Sequence, residues 1–166
     1  MKLSTKGRYA TRAILELAMR EGDDPIQLRG VAEAQNVSAK YLERLFQMLK
    51  QAGVLKSIRG VHGGYLLARN PNDITIQQIV EAVEGPISIV DCVAQPVDCA
   101  RSLDCVSRTL WARTNKLIVD YLGAVTLSDL IKEASSANLE TQRGYHLENR
   151  CLSDLVIEVG ETTKHL

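Results

Sequence analysis

Residues 38–67 read SAKYLERLFQMLKQAGVLKSIRGVHGGYLL. In its first half Leu42, Leu45, Phe46 and Leu49 recur at the spacing of an amphipathic helix, Ser38 stands where an N-cap belongs, and Gly53 where a helix ends. The period then changes. Val54, Leu55, Ser57 and Ile58 read as a strand, Gly60 to Gly64 as a turn, and Tyr65 to Leu67 as a returning strand, which together make a β-hairpin. The glycines of that turn permit positive φ and close backbone approach, and Arg59 stands at the tip.

Working towards the amino terminus, Val31 and Ala32 with Leu28 mark a short helix running to about Gln35, and Asn36 is the turn residue before Ser38. Two short helices around a tight turn have the layout of a helix-turn-helix, whose second helix offers its first turns to the DNA major groove. A longer helix precedes them, with Tyr9, Ala13, Ile14, Leu17 and Ala18 on its apolar side and Gly22 as its stop. With the hairpin added, the pattern predicts a winged helix: a mainly α fold with one small β-hairpin.

Towards the carboxyl terminus, Thr75 and Gln78 form a capping box, with Ile74 and Ile79 as its hydrophobic staple, for a helix over about Ile76–Glu84 that Gly85 and Pro86 terminate. Residues 87–104 show no sustained period and read as a loop, of a length that is uncommon unless it has a role. From Cys105 to about Tyr121, Val106, Leu110, Leu117, Ile118 and Tyr121 predict a helix of about 25 Å. That is longer than so small a core needs, and a twin subunit is the simplest surface for it, so the helix is expected to dimerise. Trp111 is its expected packing anchor, while Met19 and Met48 read as core. Thr126 caps a last short helix holding Leu127, Leu130 and Ile131. The divisions predicted are a DNA-binding domain over 1–84, a cysteine-bearing loop over 85–104, a dimerisation helix with a short closing helix over 105–134, and a flexible tail over 135–166.

The chain has 166 residues, 45% of them hydrophobic, and a formal net charge of zero. The balance hides an asymmetry. Residues 1–70 hold 12 Lys/Arg against 6 Asp/Glu, and residues 71–166 hold 8 against 14, so the halves carry +6 and −6. A basic module that meets a polyanion follows from this. The length argues against a large multidomain enzyme. No Ser-His-Asp order, phosphate-binding Gly-Lys motif or histidine pair is present, so no enzyme is expected. No run approaches the length of a membrane span and the start, MKLSTKGRYATR, lacks an apolar signal, so a cytoplasmic location with no membrane contact is expected.

On the third helix, Ser38, Lys40, Tyr41, Glu43, Arg44 and Gln47 are read as facing away from the apolar side. Lys40 and Arg44 suit phosphate or guanine, Ser38 and Tyr41 suit phosphate, and Glu43 can accept from cytosine N4. An acid on such a surface penalises DNA that offers it no donor; the alternative is a solvated charge paired with Lys40 or Gln47. Arg59, with Gly60 beside it, is placed to enter a minor groove. His62 in the same turn is read as merely exposed.

Four cysteines are present, three of them, Cys92, Cys99 and Cys105, within 14 residues, and Cys151 apart. The C-x6-C-x5-C spacing does not match the paired C-x-x-C units of structural zinc sites. Clustering favours a metal or redox site over scattered core thiols, and Cys151 reads as a bystander.

The stretches LSTKGRYA (3–10), VSAKYLERLFQMLKQAGVLKSIRG (37–60) and GGYLLAR (63–69), followed by the three cysteines and a helix containing Leu110 and Trp111, resemble the Rrf2 family of winged-helix transcription regulators, and within it the iron-sulfur cluster regulators. The resemblance covers about residues 1–134. It implies a homodimer with crossing long helices on a two-fold double-stranded DNA operator, a minor-groove role for Arg59, and choice between operator classes by Glu43. It also implies that Cys92, Cys99 and Cys105 hold a 2Fe-2S cluster whose presence or redox state changes DNA affinity, most simply in a repressor.

One position departs from that pattern. The cluster regulators place a histidine three residues after the third cysteine, and here Arg108 stands there. Remaining fourth ligands are Asp91, Asp98, Asp104, Ser107, Cys151 or a group from the partner subunit. Three alternatives stay open: a cluster-free thiol redox sensor, an effector-partnered cysteine-metabolism repressor of the same fold, and an Fe-S or redox module that works by protein contact.

Overall fold

The computed structural model describes residues 4–20, 22, 24–95 and 104–142; side chains are described as far as residue 136. Seven helices and one hairpin are found among them: α1 Thr5–Met19, α2 Leu28–Ala34, α3 Ala39–Gln51, β1 Leu55–Ile58, β2 Gly64–Leu67, a 3-10 turn Pro71–Asp73, α4 Ile76–Glu84, α5 Asp91–Ala94, α6 Val106–Ala124 and α7 Leu127–Gln142. This is the expected mainly α fold with a small β-hairpin.

The boundaries follow local chemistry. Ser38 accepts a hydrogen bond from the Tyr41 N–H and so satisfies one of the open donors at the start of α3. At its other end Gly53 adopts φ 69°, the left-handed conformation in which a residue with a Cβ is strained. Asn36, between α2 and α3, takes φ 52°, a conformation asparagine tolerates better than most residues. The Thr75–Gln78 capping box is present at α4, and the staple residues Ile74 and Ile79 are fully buried.

β1 and β2 pair antiparallel, from Leu55 opposite Leu67 to Ile58 opposite Gly64. Ile26, just before α2, adds a third line of pairing that the sequence pattern did not reveal: it gives its N–H to Tyr65 O at 3.0 Å and receives the Tyr65 N–H at 2.9 Å. Gly64 allows this approach, since a Cβ there would lie 2.5 Å from Ile26 O. The base of the wing is thereby fastened to the entrance of the helix-turn-helix.

α1 packs on α4, α2 and α3, and the core between them is filled by Ile14, Val31, Leu42, Phe46, Leu49 and Ile79. Full burial of such side chains is worth about 1.5–3 kcal/mol each, which is why the turn between the two small helices needs few contacts of its own. Met48 packs against this core, but Met19 is 44% exposed at the end of α1, so its expected core role is corrected. A two-residue bridge, Thr75 with Thr126, joins the start of α4 to the α6–α7 junction through Ile76 N–H to Val125 O at 2.9 Å and Leu127 N–H to Ile74 O at 2.8 Å. Leu127 is fully buried beside it.

Two readings of the carboxyl half change. The segment expected to be a loop contains α5 over Asp91–Ala94, and the closing helix is not short: α7 continues to Gln142, through the first residues expected to form a flexible tail. Thr126 and Asp129 cap it reciprocally, the Thr126 N–H donating to Asp129 Oδ2 at 3.0 Å and the Asp129 N–H to Thr126 Oγ1 at 3.2 Å. Among the described residues no helix is long and apolar enough to cross a membrane.

Candidate nucleic-acid interface and cysteine segment

At about 100° per residue, Lys40, Glu43, Arg44 and Gln47 fall in one stripe of α3, at i, i+3, i+4 and i+7, opposite the buried Leu42, Leu45 and Leu49. All four are exposed, as are Ser38 at the N-cap and Arg59 and Gly60 on the wing. Among the described residues none of Lys40, Glu43 and Arg44 enters an ion pair, so Lys40 does not neutralise Glu43. Its charge acts instead on Tyr65. The Tyr65 hydroxyl is held above its usual range first by burial and second by Glu43.

Tyr41 departs from its expected place. It lies about 100° round the helix from Lys40 and only about 40° from buried Leu45, so it turns inward rather than towards solvent. Its ring meets Tyr9 edge to face at 6.1 Å, it is half-buried, and its hydroxyl is enclosed without a partner among the described residues. The same contact reveals residues the sequence reading missed. Arg12 lies 6.0 Å above the Tyr9 ring, so α1 brings a cation, through Tyr9, to the amino-terminal turn of α3. The available signal was an exposed cation, Arg12, three residues after the aromatic Tyr9 that edges the apolar side of α1.

The wing is braced rather than free. Lys50 Nζ donates to Ser57 Oγ at 2.7 Å, and Phe46 meets Tyr65 edge to face at 5.0 Å, tying both strands to α3. Arg69 Nη2 donates to Gln78 Oε1 at 3.0 Å and its Nε to Gly53 O at 3.2 Å, joining the end of the hairpin to the α4 cap and the α3 terminus. Beyond these braces Gly60 takes φ 121° and Val61 is 89% exposed, so the turn carrying Arg59 projects. His62 is exposed there, as expected.

Cys92 lies on α5 and Cys105 is the residue before α6; both are half-buried. Cys99, Asp98 and Cys151 lie outside the described residues, and among the described ones no three His, Cys, Asp or Glu side chains gather as a metal site. Arg108, in the first turn of α6, donates through Nε to Cys92 O at 3.1 Å, and Cys105 Sγ lies 3.2 Å from Ser107 Oγ. A guanidinium has no lone pair to give a metal, so Arg108 does not stand in for a histidine ligand. The thiols of Cys92 and Cys105 suit a cluster; the fourth donor at the expected position does not.

On α6, Val106, Leu110, Leu117 and Tyr121 are 85%, 56%, 70% and 70% exposed and share one face, and Trp111 is 41% exposed beside it. A contiguous apolar face of this kind marks an interaction surface.

A family model for Rrf2, described as iron-dependent transcriptional regulators, matches residues 3–133. Protein rrf2 of Nitratidesulfovibrio vulgaris is 38% identical over 135 residues, covering 81% of this chain and 90% of that protein. The HTH-type transcriptional regulator CymR of Bacillus subtilis is 41% identical, covering 78% and 89%, and the regulator IscR of Photobacterium profundum is 34% identical, covering 92% and 88%. Among solved structures, CymR, the global cysteine regulator of B. subtilis, superposes with a TM-score of 0.67 at 39% identity over 80% of this chain and 98% of its own. IscR of T. potens does so at 0.68 and 36%, over 82% and 90%.

Proposed function

Because this chain belongs to the Rrf2 family of transcriptional regulators, we propose that it works as a homodimer on a two-fold DNA operator and that its cysteine segment reports a chemical signal to that interface. The single observation that carries the DNA half is the exposed, unpaired stripe of Lys40, Glu43, Arg44 and Gln47 on α3, beside a braced wing that projects Arg59. In this reading α3 enters the major groove, Arg44 and Gln47 read base edges, Lys40 and the Ser38 hydroxyl hold phosphates, and Arg59 with the Gly60 main chain enters the minor groove. Arg12 adds a phosphate contact from α1. Tyr41 serves by packing.

Glu43 discriminates. Facing a cytosine N4 amine it gains a hydrogen bond, and facing phosphate or an acceptor it is repelled, so it acts chiefly against wrong sites. Glu43→Ala is expected to bring unrelated duplexes closer to the best operator in affinity, read by fluorescence anisotropy on duplexes selected from a random pool. A uniform loss on every duplex would overturn the assignment. Arg59→Ala should reduce the slope of log K against log salt by about one and relax preference for A·T-rich flanks.

For the signal, Cys92, Cys99 and Cys105 are the residues that would hold a 2Fe-2S cluster, which when bound supplies a redox-active and chemically labile group. Its fourth donor comes from elsewhere than Arg108. A metal-free thiol sensor is the second reading, and the specific observation favouring it is that Arg108 spends its Nε–H on the Cys92 carbonyl where a ligand was expected. Anaerobic purification with iron, sulfide and visible absorption measured on wild type and Cys92→Ala separates the two. Iron and sulfide together, lost in the variant, support the cluster; a colourless, iron-free protein supports the thiol sensor.

A further inference from the structure

The main chain leading to Cys92 is caught between two helices by side chains that neither reading above uses. Asn115, half-buried in the middle of α6, donates from Nδ2 to Ile87 O at 3.1 Å and accepts the Ile89 N–H on Oδ1 at 2.9 Å. One amide side chain thereby satisfies a carbonyl and an N–H of the same segment at once. Only a carboxamide offers a donor and an acceptor in that arrangement. Glu81 of α4 accepts the Ile87 N–H at 3.4 Å, and its second oxygen accepts from Gln77 Nε2 at 3.2 Å. Three residues further on, Arg108 of α6 holds Cys92 O.

α4 in turn touches the DNA-binding half directly. It packs along α1, and Glu84 Oε1 accepts the Ser4 hydroxyl at 3.0 Å and the Gly7 N–H at 2.9 Å. A displacement of Cys92 that frees the Arg108 tie therefore pulls on a segment that Asn115 and Glu81 hold, and Glu81 sits one helical turn from Glu84. Cutting the Asn115 contacts would leave α3, the wing and both cysteines in place but unlinked.

We propose that Asn115 is the positioning residue of the cysteine site, the side chain that fixes residues 87–89 to α6 so that a change at Cys92 reaches α4 and α1. The inference rests on the reading of the cysteine segment as a sensor. Asn115→Asp keeps the size of the side chain but removes the donor and sets an anion against Ile87 O. Arg108→Met keeps an unbranched side chain of similar reach but carries no donor, and so removes the tie at the Cys92 carbonyl.

The test uses the full chain, with iodoacetamide as the probe of Cys92, alkylation followed by peptide mass mapping, and DNA affinity measured before and after on a selected duplex. Wild type is expected to change affinity at least tenfold on alkylation. Asn115→Asp and Arg108→Met are expected to bind the duplex within threefold of unmodified wild type, to be alkylated at Cys92, and to change affinity less than threefold on alkylation. If wild type responds and both variants respond equally, the positioning role falls while the sensor reading stands. If wild type does not respond, the sensor reading falls and the inference with it. Should Asn115→Asp fail to fold, as read by circular dichroism, Asn115→Ala, which removes both the donor to Ile87 O and the acceptor for the Ile89 N–H, takes its place in the same comparison.

Discussion

Replacing Leu117 by Asp tests the dimer at the centre of the α6 face. Leu117 is 70% exposed, between Leu110 and Tyr121 on the same face. Complete burial of a leucine is worth about 1.5–3 kcal/mol, so covering the exposed part of this one contributes about 1–2 kcal/mol. In a two-fold interface each substitution occurs twice, which raises the loss to about 2–4 kcal/mol per dimer before any cost of desolvating the new carboxylates. At 1.4 kcal/mol per factor of ten, the dimer dissociation constant should rise roughly 30- to 1000-fold. Sedimentation equilibrium over a range of concentrations measures it directly, and the monomeric variant should keep its helical circular dichroism because Leu117 is not part of the core. DNA binding should fall with dimerisation, since a monomer reaches only one half-site. An unchanged dissociation constant, or a wild type that stays monomeric at tens of micromolar, would refute the reasoning.

Two further outcomes follow from buried or titrating groups. Leu127→Ala empties a fully buried position behind the Thr75–Thr126 bridge and should cost about 2–5 kcal/mol, measured as a fall in the denaturant midpoint at unchanged slope; a loss under about 1 kcal/mol would mean that α7 is not needed to close the core. Tyr65 is held above its usual range by burial and by the Glu43 charge, so its contribution to stability is complete below about pH 10 and is lost as pH rises through its folded-state value. Tyr65→Phe keeps the ring against Phe46 and should flatten that alkaline decline in denaturation midpoints between pH 8 and 11; equal declines in both proteins would exclude Tyr65 as its source.

What could be read from the sequence had a local cause. The α3 stripe, the hairpin, the α4 capping box and the left-handed ends at Gly53 and Gly85 each depend on residues within a few positions of one another, and the structure has them all. Features that depend on distant partners were not legible. Ile26 pairs with Tyr65 across 39 positions and Thr75 with Thr126 across 51, and no period or cap announces either. Tyr41 carries a polar hydroxyl that suits a surface position, but its place beside Leu45 and the aromatic surface of Tyr9, supplied from α1, turn it inward. α5 has four residues, too few for a period to show, and α7 outran its expected end because the sequence after Ile131 is polar. Polarity there argued for a tail, whereas a helix needs only good helix formers such as Lys132, Glu133 and Ala134 to continue.

Arg108 bears on how the cysteine segment is held. A histidine at that position would offer a lone pair to a metal, and the bound metal would then help hold residues 87–92 against α6. With arginine the order is reversed: the Nε–H takes the Cys92 carbonyl, Asn115 takes the backbone of Ile87 and Ile89, and the segment is held by its main chain whether or not a metal is present. Main-chain anchoring leaves the Cys92 side chain free of any holding duty, so its thiol is available to a cluster, an oxidant or an electrophile without the fold depending on which. A site built this way should lose its signal, and not its stability, when a cysteine is replaced. Cys92→Ser is therefore expected to leave the thermal midpoint within about 2 °C of wild type, since exchanging one half-buried atom away from the core changes stability by less than about 1 kcal/mol. A fall of 8 °C or more would show that the thiol, or what it binds, holds the segment together, and would return the fourth-ligand question to the centre of the mechanism.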